Sequence, residues 1–426
     1  MQPSPLTLAH HMTLLQMAQG DFRTDRLTGV FAVPLTADTV DEYAILPGLL
    51  TRGCRTYPTM ASLCRRLDDL YGATVQGQVY RLGGWQVLTF SVNYLNRRYT
   101  LDGSDLTADC TALLLDMLFD PALEGDAFPT DVFAQEQRCQ IERLQGELNE
   151  KRLYARQRCE QLLSPHHPYG LNPNGTEQGV AALTAARAET ARRNLLKTAR
   201  IHWLYQGAGD IPTLTAVLEN RFAPLQRQAP AELVLETAFD TTATTHTEQM
   251  PLNQAKLVLG LRCAITEPTD DVTVAQLMIT LLGGSATSLL FTHVREEQSL
   301  CYYCAATYDR FQGVVLMDSG VQPENAQKTK EEALKQLEAI RNNAFSDQEL
   351  EAARRSLTQR YTAAGDHPDS LENYYIGQTV YDNYLSPEEK CHRVMAVTRE
   401  QVCEAARQTR LQTVYLLSPD NQEVTL

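Results

Sequence analysis

The residues best suited to chemistry in this sequence are an arginine and a tyrosine, Arg295 and Tyr302, seven positions apart in the stretch VREEQSLCY. A guanidinium and a phenol both donate hydrogen bonds, so together they could hold a peptide carbonyl and stabilise negative charge that develops on it. A lone Arg–Tyr pair is more often a surface ion pair beside a core tyrosine. Two apolar stretches precede the pair, LLGG (281–284) and SLLF (288–291).

Hydrophobic periodicity predicts the elements that must position these residues. Apolar residues at period two or in short runs predict strands, and apolar residues at helical spacing predict helices. In the first half the predicted strands are residues 27–34, 73–80, 85–95 and 201–205, and the predicted helices include residues 60–71 and a long charged helix from about 132 to 163. A short apolar segment, residues 43–51, precedes the first of these helices.

The second half repeats this order, which indicates an internal duplication. Its predicted strands are residues 255–264, 300–307, 313–321 and 413–417, and its predicted helices include residues 272–282 and 288–296. Matching order in two halves predicts an α+β protein of two similar domains, each an antiparallel sheet with helices packed on one face. We expect an N-terminal domain at residues 1–222, an Ala-, Pro- and Thr-rich linker at 223–251 and a C-terminal domain at 252–426.

The chain resembles the pitrilysin/insulinase family of zinc peptidases. In that family a glycine-marked helix end precedes a serine-leucine-phenylalanine run, an arginine, a leucine five residues later and a tyrosine two beyond it. Arg295, Leu300 and Tyr302 fit this spacing. The first half is similar to the family through LDDLYGA (67–73) and HPYG (167–170). The resemblance implies that Arg295 and Tyr302 bind the substrate backbone around the scissile bond, facing a zinc site from the opposite domain.

The zinc motif of the family is missing. Where active members carry His-x-x-Glu-His, this sequence has Ala44 and Gly48 at the histidine positions and Pro47 at the position of the general base. A catalytic zinc needs three protein ligands and an open water position, and proline also breaks a regular helix. Alignment of Glu136 with the start of the family's ligand-bearing helix puts Arg143 at the third ligand position. We therefore expect no catalytic residue and no metal ligand in this chain.

The resemblance implies a non-catalytic subunit of a heterodimeric zinc metallopeptidase. In some bacteria, members of this family divide the zinc motif and the Arg/Tyr pair between two homologous chains. The expected partner is therefore a zinc-bearing sister subunit, and the expected ligand is a peptide or unfolded protein. The cofactor, zinc, belongs to that partner. The chain is also similar to the bacterial pseudopeptidase subgroup linked to modification of elongation factor P.

Two other functions fit the sequence less well. One is a structural or assembly protein of the same fold with no role in proteolysis, but such a chain has no physical reason to keep both Arg295 and Tyr302. The other is a cysteine peptidase, and no Cys/His pair stands out among the ten cysteines.

Composition limits the range of partners and the compartment. The formal net charge of −14 and a pI near 5.2 argue against nucleic acid and against an anionic membrane surface, because phosphate binding needs a basic footprint. No basic leader precedes a long apolar run, and no stretch approaches the length of a membrane helix. Ten scattered cysteines fit reduced thiols, so we expect a cytoplasmic protein.

Three other features have more ordinary interpretations. Cys301 and Cys304 form a C-x-x-C that lacks a second such motif, and on a regular strand the two side chains would point to opposite faces, which favours buried thiols. His293 precedes two carboxylates but lacks a second histidine, which favours a solvated helix turn. In the family's substrate-binding edge strand an asparagine is usual, and Gln76 stands near that position with an amide of different reach.

Overall fold

The structure is a computed structural model that describes residues 4–17, 22–165, 167–231, 243–269 and 271–420. Within these ranges it contains eleven β-strands and fifteen α-helices, numbered in chain order, and a π-helix at Leu290–Glu296. Among the described helices, none combines the length and apolar composition that crossing a bilayer requires. The strands are β1 (Leu6–Leu8), β2 (Met12–Gln16), β3 (Thr24–Pro34), β4 (Thr74–Leu82), β5 (Trp85–Leu95), β6 (Arg200–Gln206), β7 (Thr244–Met250), β8 (Ala255–Cys263), β9 (Cys301–Asp309), β10 (Val314–Val321) and β11 (Thr409–Pro419). The helices are α1 (Val40–Ala44), α2 (Leu46–Leu50), α3 (Met60–Asp69), α4 (Thr107–Phe119), α5 (Thr130–Asn149), α6 (Lys151–Leu163), α7 (Glu177–Ala181), α8 (Ala185–Thr198), α9 (Ile211–Phe222), α10 (Thr273–Gly283), α11 (Ala326–Arg341), α12 (Asp347–Ala363), α13 (Pro368–Ile376), α14 (Pro387–Ala396) and α15 (Arg399–Arg407).

The two sheets have the same internal order, which confirms the duplication. The first runs β1-β2-β6-β3-β5-β4 and the second β7-β11-β8-β10-β9. When β1 is set aside, the strands correspond one to one in the same sequence of neighbours. In each sheet one pair is parallel, β2 with β6 and β7 with β11, while the other pairs are antiparallel. The predicted α+β class is confirmed, with one parallel pair added to each antiparallel sheet.

The chain divides into two compact units that exchange segments. Unit 1 contains the described residues of Met1–Gln145, Leu171–Val234 and Gly365–Tyr384, and unit 2 those of Gly146–Gly170, Leu235–Ala364 and Leu385–Leu426. The predicted domains at 1–222 and 252–426 therefore differ from these units in two places. Helix α6 comes from the first half of the chain but belongs to unit 2, and α13 comes from the second half but belongs to unit 1.

The predicted linker at 223–251 is partly a strand. Residues 232–242 lie outside the described part of the chain. After them, Thr244–Met250 forms β7, which runs parallel to β11 with Thr244 opposite Thr413. Its burial alternates between exposed and half-buried residues, as expected for an edge strand with one face on the protein. Threonine is β-branched and suits this pleated edge, so a composition taken for a linker forms a strand.

One face of the first sheet packs against α4, α8 and α9. On the other face lies α13, whose Glu372 accepts hydrogen bonds from Arg26 and Thr28 of β3. At the centre of the sheet Phe31 of β3 packs edge to face on Phe90 of β5 and Trp203 of β6, with ring centroids 5.7 and 6.1 Å apart. Trp203 also meets Phe222 of α9 at 6.3 Å. Gly29 makes room for this cluster, because a Cβ there would lie 2.8 Å from the Phe31 ring and 2.9 Å from Trp203. Aromatic packing thus fixes the register of the central strands.

The second sheet carries helices on both faces. On one face Gly283, at the end of α10, lies so close to Ala306 of β9 that an added Cβ would come 2.7 Å from the Ala306 nitrogen. On the other face Leu316 of β10 packs in a buried cluster with Cys159 of α6. Ala306 pairs with Met317, the neighbour of Leu316, and neighbours alternate in direction, so the two packings are on opposite faces. The sequence predicted helices on one face only, and α6 is the addition in this sheet, as α13 is in the first.

The long charged helix predicted from about 132 to 163 is two helices. Helix α5 ends at Asn149 and α6 begins at Lys151. Between them Glu150 has φ −80° and ψ 79°, outside the helical region. Gly146 and Asn149, both weak helix formers, precede this break.

Candidate functional site

The segment at the position of the zinc motif lies between two short helices. Helix α1 ends at Ala44 and α2 begins at Leu46, with Pro47 in its first turn. Ala44 and Pro47 are buried, and the Thr51 hydroxyl donates to the Pro47 carbonyl at 2.8 Å. The sequence predicted that a proline here would interrupt a regular helix, and the helix is interrupted at Ile45, two residues before it.

The space beside Gly48 is filled by a side chain from another helix. A Cβ built on Gly48 would overlap the Glu136 carboxylate of α5. That carboxylate accepts a hydrogen bond from Arg52 Nε at 2.5 Å. Pro47 lies against Gly77 of β4, where an added Cβ would come 2.9 Å from the Pro47 ring. The region where the family holds a metal is therefore packed with a proline and an ion pair.

Arg143, at the predicted third ligand position, lies on the exposed side of α5. Its neighbour Glu142 is also exposed and pairs loosely with Arg138, Nε to Oε1 3.8 Å. Within the described residues no group of three or more His, Cys, Asp or Glu side chains is placed to hold a metal ion. The residues Ala44, Pro47, Gly48 and Arg143 offer no ligand atom that suits zinc, so they do not fit a catalytic zinc site.

Arg295 belongs to the π-helix of unit 2. Its side chain is 39% exposed, its Cζ lies 4.6 Å from the ring centroid of Phe291, and its Nε lies 3.6 Å from Glu296 Oε1. Helices of this type are rare and are frequent at functional sites. Stacking on Phe291 leaves the donors at the rim of the guanidinium directed to the surroundings.

Tyr302 lies at a bulge in the edge strand β9. The β9–β10 ladder pairs Gly320 with Tyr303 and Val321 with Cys301, which leaves Tyr302 as the extra residue. Its side chain is 59% exposed. The Tyr302 hydroxyl accepts a hydrogen bond from Gln322 Nε2 at 2.7 Å.

A tight turn brings Arg295 and Tyr302 into one region of unit 2. The Ser299 nitrogen donates to the Arg295 carbonyl at 3.1 Å, and Ser299 has φ 50°, in the left-handed region. The Leu300 nitrogen donates to the Val294 carbonyl at 3.1 Å. The chain therefore reverses directly from the π-helix into β9. The two sequence-predicted binding residues therefore flank one turn in unit 2, whereas the positions of the zinc motif lie in unit 1.

The prediction that Cys301 and Cys304 point to opposite faces is wrong. The extra residue Tyr302 shifts the alternation of β9 by one, so both thiols point to the same face and each residue is 7% exposed. A hydrogen bond with the Cys304 thiol lowers the pKa of Cys301, burial opposes this, and the Arg295 guanidinium lowers it further. The same thiol contact, together with burial, raises the pKa of Cys304.

Sequence reasoning missed two residues of this region. Glu136 was used only to align the chain, although its side chain fills the space at Gly48. Gln322, twenty positions after Tyr302, gives no local signal, because it reaches Tyr302 only through the pairing of β9 with β10. A signal for Glu136 did exist, since a glycine next to a proline in a short helix leaves space that a neighbouring side chain must fill.

Known proteins resemble this chain over nearly its whole length. Residues 182–357 match the family described as "Peptidase M16 inactive domain". A Bacillus subtilis (strain 168) protein named "Probable inactive metalloprotease YmfF" is 28% identical over 396 residues, covering 93% of this chain and 93% of that protein.

Solved structures share the fold. A conserved protein from Enterococcus faecalis V583 superposes with a TM-score of 0.90 at 23% identity, covering 99% of this chain and 100% of that one. A peptidase M16 inactive domain from Pseudomonas fluorescens gives 0.81 at 17% identity, covering 100% of both chains. A protease from Helicobacter pylori gives 0.75 at 12% identity, covering 98% of this chain and 100% of that one. The sequence matches thus agree with the resemblance to the pitrilysin/insulinase (M16) peptidases and to inactive, peptidase-like members among them, and the solved structures share the fold.

Proposed function

We propose that this chain pairs with a zinc-bearing homologous subunit and contributes Arg295 and Tyr302 to the peptide-binding part of that subunit's active site. The observation that carries the proposal is the exposure of Tyr302. It is the most exposed of the described tyrosines at 59%, ahead of Tyr99 at 47% and Tyr71 at 37%. A tyrosine retained for packing is usually buried, so a position this open favours a role in contact with a ligand.

The hydrogen bonding of Tyr302 suits a donor. Because the hydroxyl oxygen accepts from Gln322, the phenol proton remains available for an acceptor outside the chain. Arg295 adds a charged donor. Its guanidinium stacks on the Phe291 ring, and its Nε lies 3.6 Å from Glu296 Oε1. A carbonyl oxygen that gains negative charge during peptide hydrolysis is the group such donors stabilise.

The zinc and the base that activates water are assigned to the partner. Ala44, Pro47, Gly48 and Arg143 supply neither ligand nor base, so any hydrolysis needs a sister chain with His-x-x-Glu-His. The ligand is a peptide or unfolded protein rather than nucleic acid or a membrane surface, which agrees with the net charge of −14. The proposed location is the cytoplasm, where the ten cysteines would remain reduced thiols.

The edge strand of unit 1 supports a peptide ligand. Strand β4 is the last strand of the first sheet, and Gln76 and Gln78 on it are exposed. An extended peptide can add to such an edge through main-chain hydrogen bonds. The side-chain amides next to that edge are further donors and acceptors for the peptide.

The experiment is reconstitution with a homologous chain that carries His-x-x-Glu-His. The two chains are purified separately and mixed, then examined by size-exclusion chromatography, metal analysis and hydrolysis of a quenched fluorescent peptide. We expect a stable heterodimer with zinc in the partner only and faster hydrolysis by the mixture than by either chain. A heterodimer that forms without any gain in hydrolysis would favour a structural or assembly role instead.

A further inference from the structure

A second edge, in unit 2, borders a cleft. Strand β9 is the last strand of the second sheet, and within the described residues it pairs only with β10. Four consecutive residues of β9, from Ala305 to Tyr308, line a cleft of about 490 Å³ together with the end of α10 and with α12. Consecutive residues of a strand point to alternate faces, so a cleft lined by all four lies at the edge of the strand and not on one face. The main-chain groups that β9 turns away from β10 therefore face this cleft.

Small residues on two walls of the cleft leave space for a side chain of a ligand. Gly283 and Gly284 form the part of the α10 wall nearest the end of that helix, and Ala305 and Ala306 form part of the strand wall. Glycines at the α10 end cannot be enlarged without collision, because a Cβ on Gly283 would lie 2.8 Å from that of Ala306. The opening beside β9 is thus a consequence of four small residues at the edge.

Positive charge lies on both sides of this edge. In the cleft, exposed Arg360 of α12 donates through Nη2 to the Gly284 carbonyl at 2.9 Å. On the other face, Arg156 of α6 donates through Nη2 to the Thr307 hydroxyl at 2.9 Å. Thr307 is exposed and also lines the cleft, so the two arginines border the same stretch of strand.

One buried carboxylate only partly balances this charge. Arg152 lies over the Tyr303 ring at 4.3 Å and contacts Asp318 at 2.5 Å, and Arg156 contacts Asp318 at 3.2 Å. Lys256 lies 5.6 Å from the same ring. Three cations around one carboxylate leave a local positive excess, although the chain as a whole carries a net charge of −14. A ligand that approaches β9 meets an electrostatic field that favours acidic groups.

We propose that the open edge of β9 binds an extended acidic peptide segment by strand addition, with Arg360 pairing an Asp or Glu side chain in the cleft. Main-chain hydrogen bonds along β9 supply affinity without sequence preference, and the arginines on both faces select acidic side chains. The inference rests on the proposed function only in taking an extended peptide as the ligand. It needs no partner chain, because the residues that form the edge all belong to unit 2.

Binding of a synthetic peptide to the purified full-length chain tests the proposal. The probe is a fluorescent eight-residue peptide of alternating Val and Glu, followed by fluorescence polarisation. Two matched peptides carry Lys in place of Glu, or methyl groups on the backbone nitrogens. We expect the Lys peptide and the N-methylated peptide each to bind at least about tenfold more weakly, since one loses charge-assisted hydrogen bonds and the other the ladder to β9.

Two variants locate the binding. Arg360→Gln should weaken binding of the Glu peptide about tenfold and leave the Lys peptide unchanged, whereas Arg355→Gln, an exposed arginine of the same helix outside the cleft, should change neither. Equal affinity for the Glu and Lys peptides, or an affinity that Arg360→Gln leaves intact, would overturn the proposal. Because the assay uses this chain alone, such a failure is separate from a failure of the reconstituted heterodimer.

Discussion

The Glu136 carboxylate lies against Gly48, in the space that any side chain at residue 48 would enter. Gly48→Ala should therefore destabilise unit 1 by about 1 kcal/mol, because the cost of overpacking exceeds the helix-forming gain of alanine. Arg52 holds the carboxylate in place, so Glu136 cannot move aside freely. Urea unfolding followed by tryptophan fluorescence measures this, since Trp85 and Trp203 are the only tryptophans and both lie in unit 1.

The same substitution made together with Glu136→Ala is its control. Once the carboxylate is gone, Gly48→Ala should become neutral or stabilising by a few tenths of a kcal/mol, because only the helix propensity remains. An unchanged cost in both backgrounds would show that Glu136 does not occupy that space.

The purified chain alone should hold no stoichiometric zinc and cleave no peptide. Neither Ala44 nor Gly48 has a ligand atom in its side chain, and Pro47 cannot act as the base. Metal analysis after equilibration with zinc and gel filtration, together with a fluorescent peptidase assay, checks both points. One tightly held zinc per chain accompanied by hydrolysis would contradict the assignment of Ala44, Pro47 and Gly48 as a degenerate site.

Acid should destabilise unit 1 through His202. Burial, aided by the charge of Arg200, lowers the pKa of His202 to about 3 from the ordinary value of 6.5. Between these values the unfolded chain binds a proton that the folded chain does not, so stability falls as the pH drops below about 6.5. Between about pH 7.5 and pH 5 this histidine should account for a loss of about 2 kcal/mol.

The measurement is urea unfolding by tryptophan fluorescence at the two pH values. His202→Gln should remove that part of the pH dependence, whereas His392→Gln, an exposed histidine of unit 2, should keep it. If the wild-type chain and the His202→Gln variant lose the same stability on acidification, His202 is not held neutral by the fold.

The packing of helix α6 on the second sheet should depend on the absence of a side chain at Gly260 of β8. A Cβ on Gly260 of β8 would lie 2.9 Å from Cys159 Sγ and 3.3 Å from a Leu163 methyl group. Gly260→Leu should therefore loosen α6 and speed amide hydrogen exchange in Lys151–Leu163, with little change in the first sheet. Gly146→Leu is the matched control, since no atom lies within 4 Å of a Cβ at Gly146, and it should leave this exchange unchanged.

The sequence was sufficient to predict eight of the eleven described strands and the duplication, because period-two patterns and their order are local properties. It could not predict where α6 packs. The apolar residues Ala155, Cys159 and Leu163 require a buried partner, but nothing in their spacing specifies which of two similar sheets provides it. The strand at Thr244–Met250 was missed because a threonine-rich edge strand resembles a linker in composition.

Within the candidate site, side-chain identity was predictable and side-chain direction was not. Arg295 and Tyr302 were found from their types and spacing. The bulge at Tyr302, which places Cys301 and Cys304 on one face, depends on the register between β9 and β10. A register of this kind is set by pairing between distant residues and leaves no local pattern in either strand.

The central claim is that Arg295 and Tyr302 act on a bound peptide and not on the fold. Tyr302 is exposed and the Arg295 side chain is 39% exposed, so Arg295→Ala and Tyr302→Phe should leave thermal stability and partner binding unchanged. Arg355→Ala and Tyr99→Phe, which alter an exposed arginine and an exposed tyrosine elsewhere, serve as matched controls.

The most direct test is the rate of peptide hydrolysis by the heterodimer reconstituted with each variant, measured on complexes of confirmed stoichiometry and stability. We predict that Arg295→Ala and Tyr302→Phe each lower this rate by about ten- to a thousandfold, as the loss of a donor to a developing oxyanion does, while both controls keep the wild-type rate. Full activity in both variants, or a loss that follows only from unfolding, would contradict the role of Arg295 and Tyr302 in a shared peptidase site.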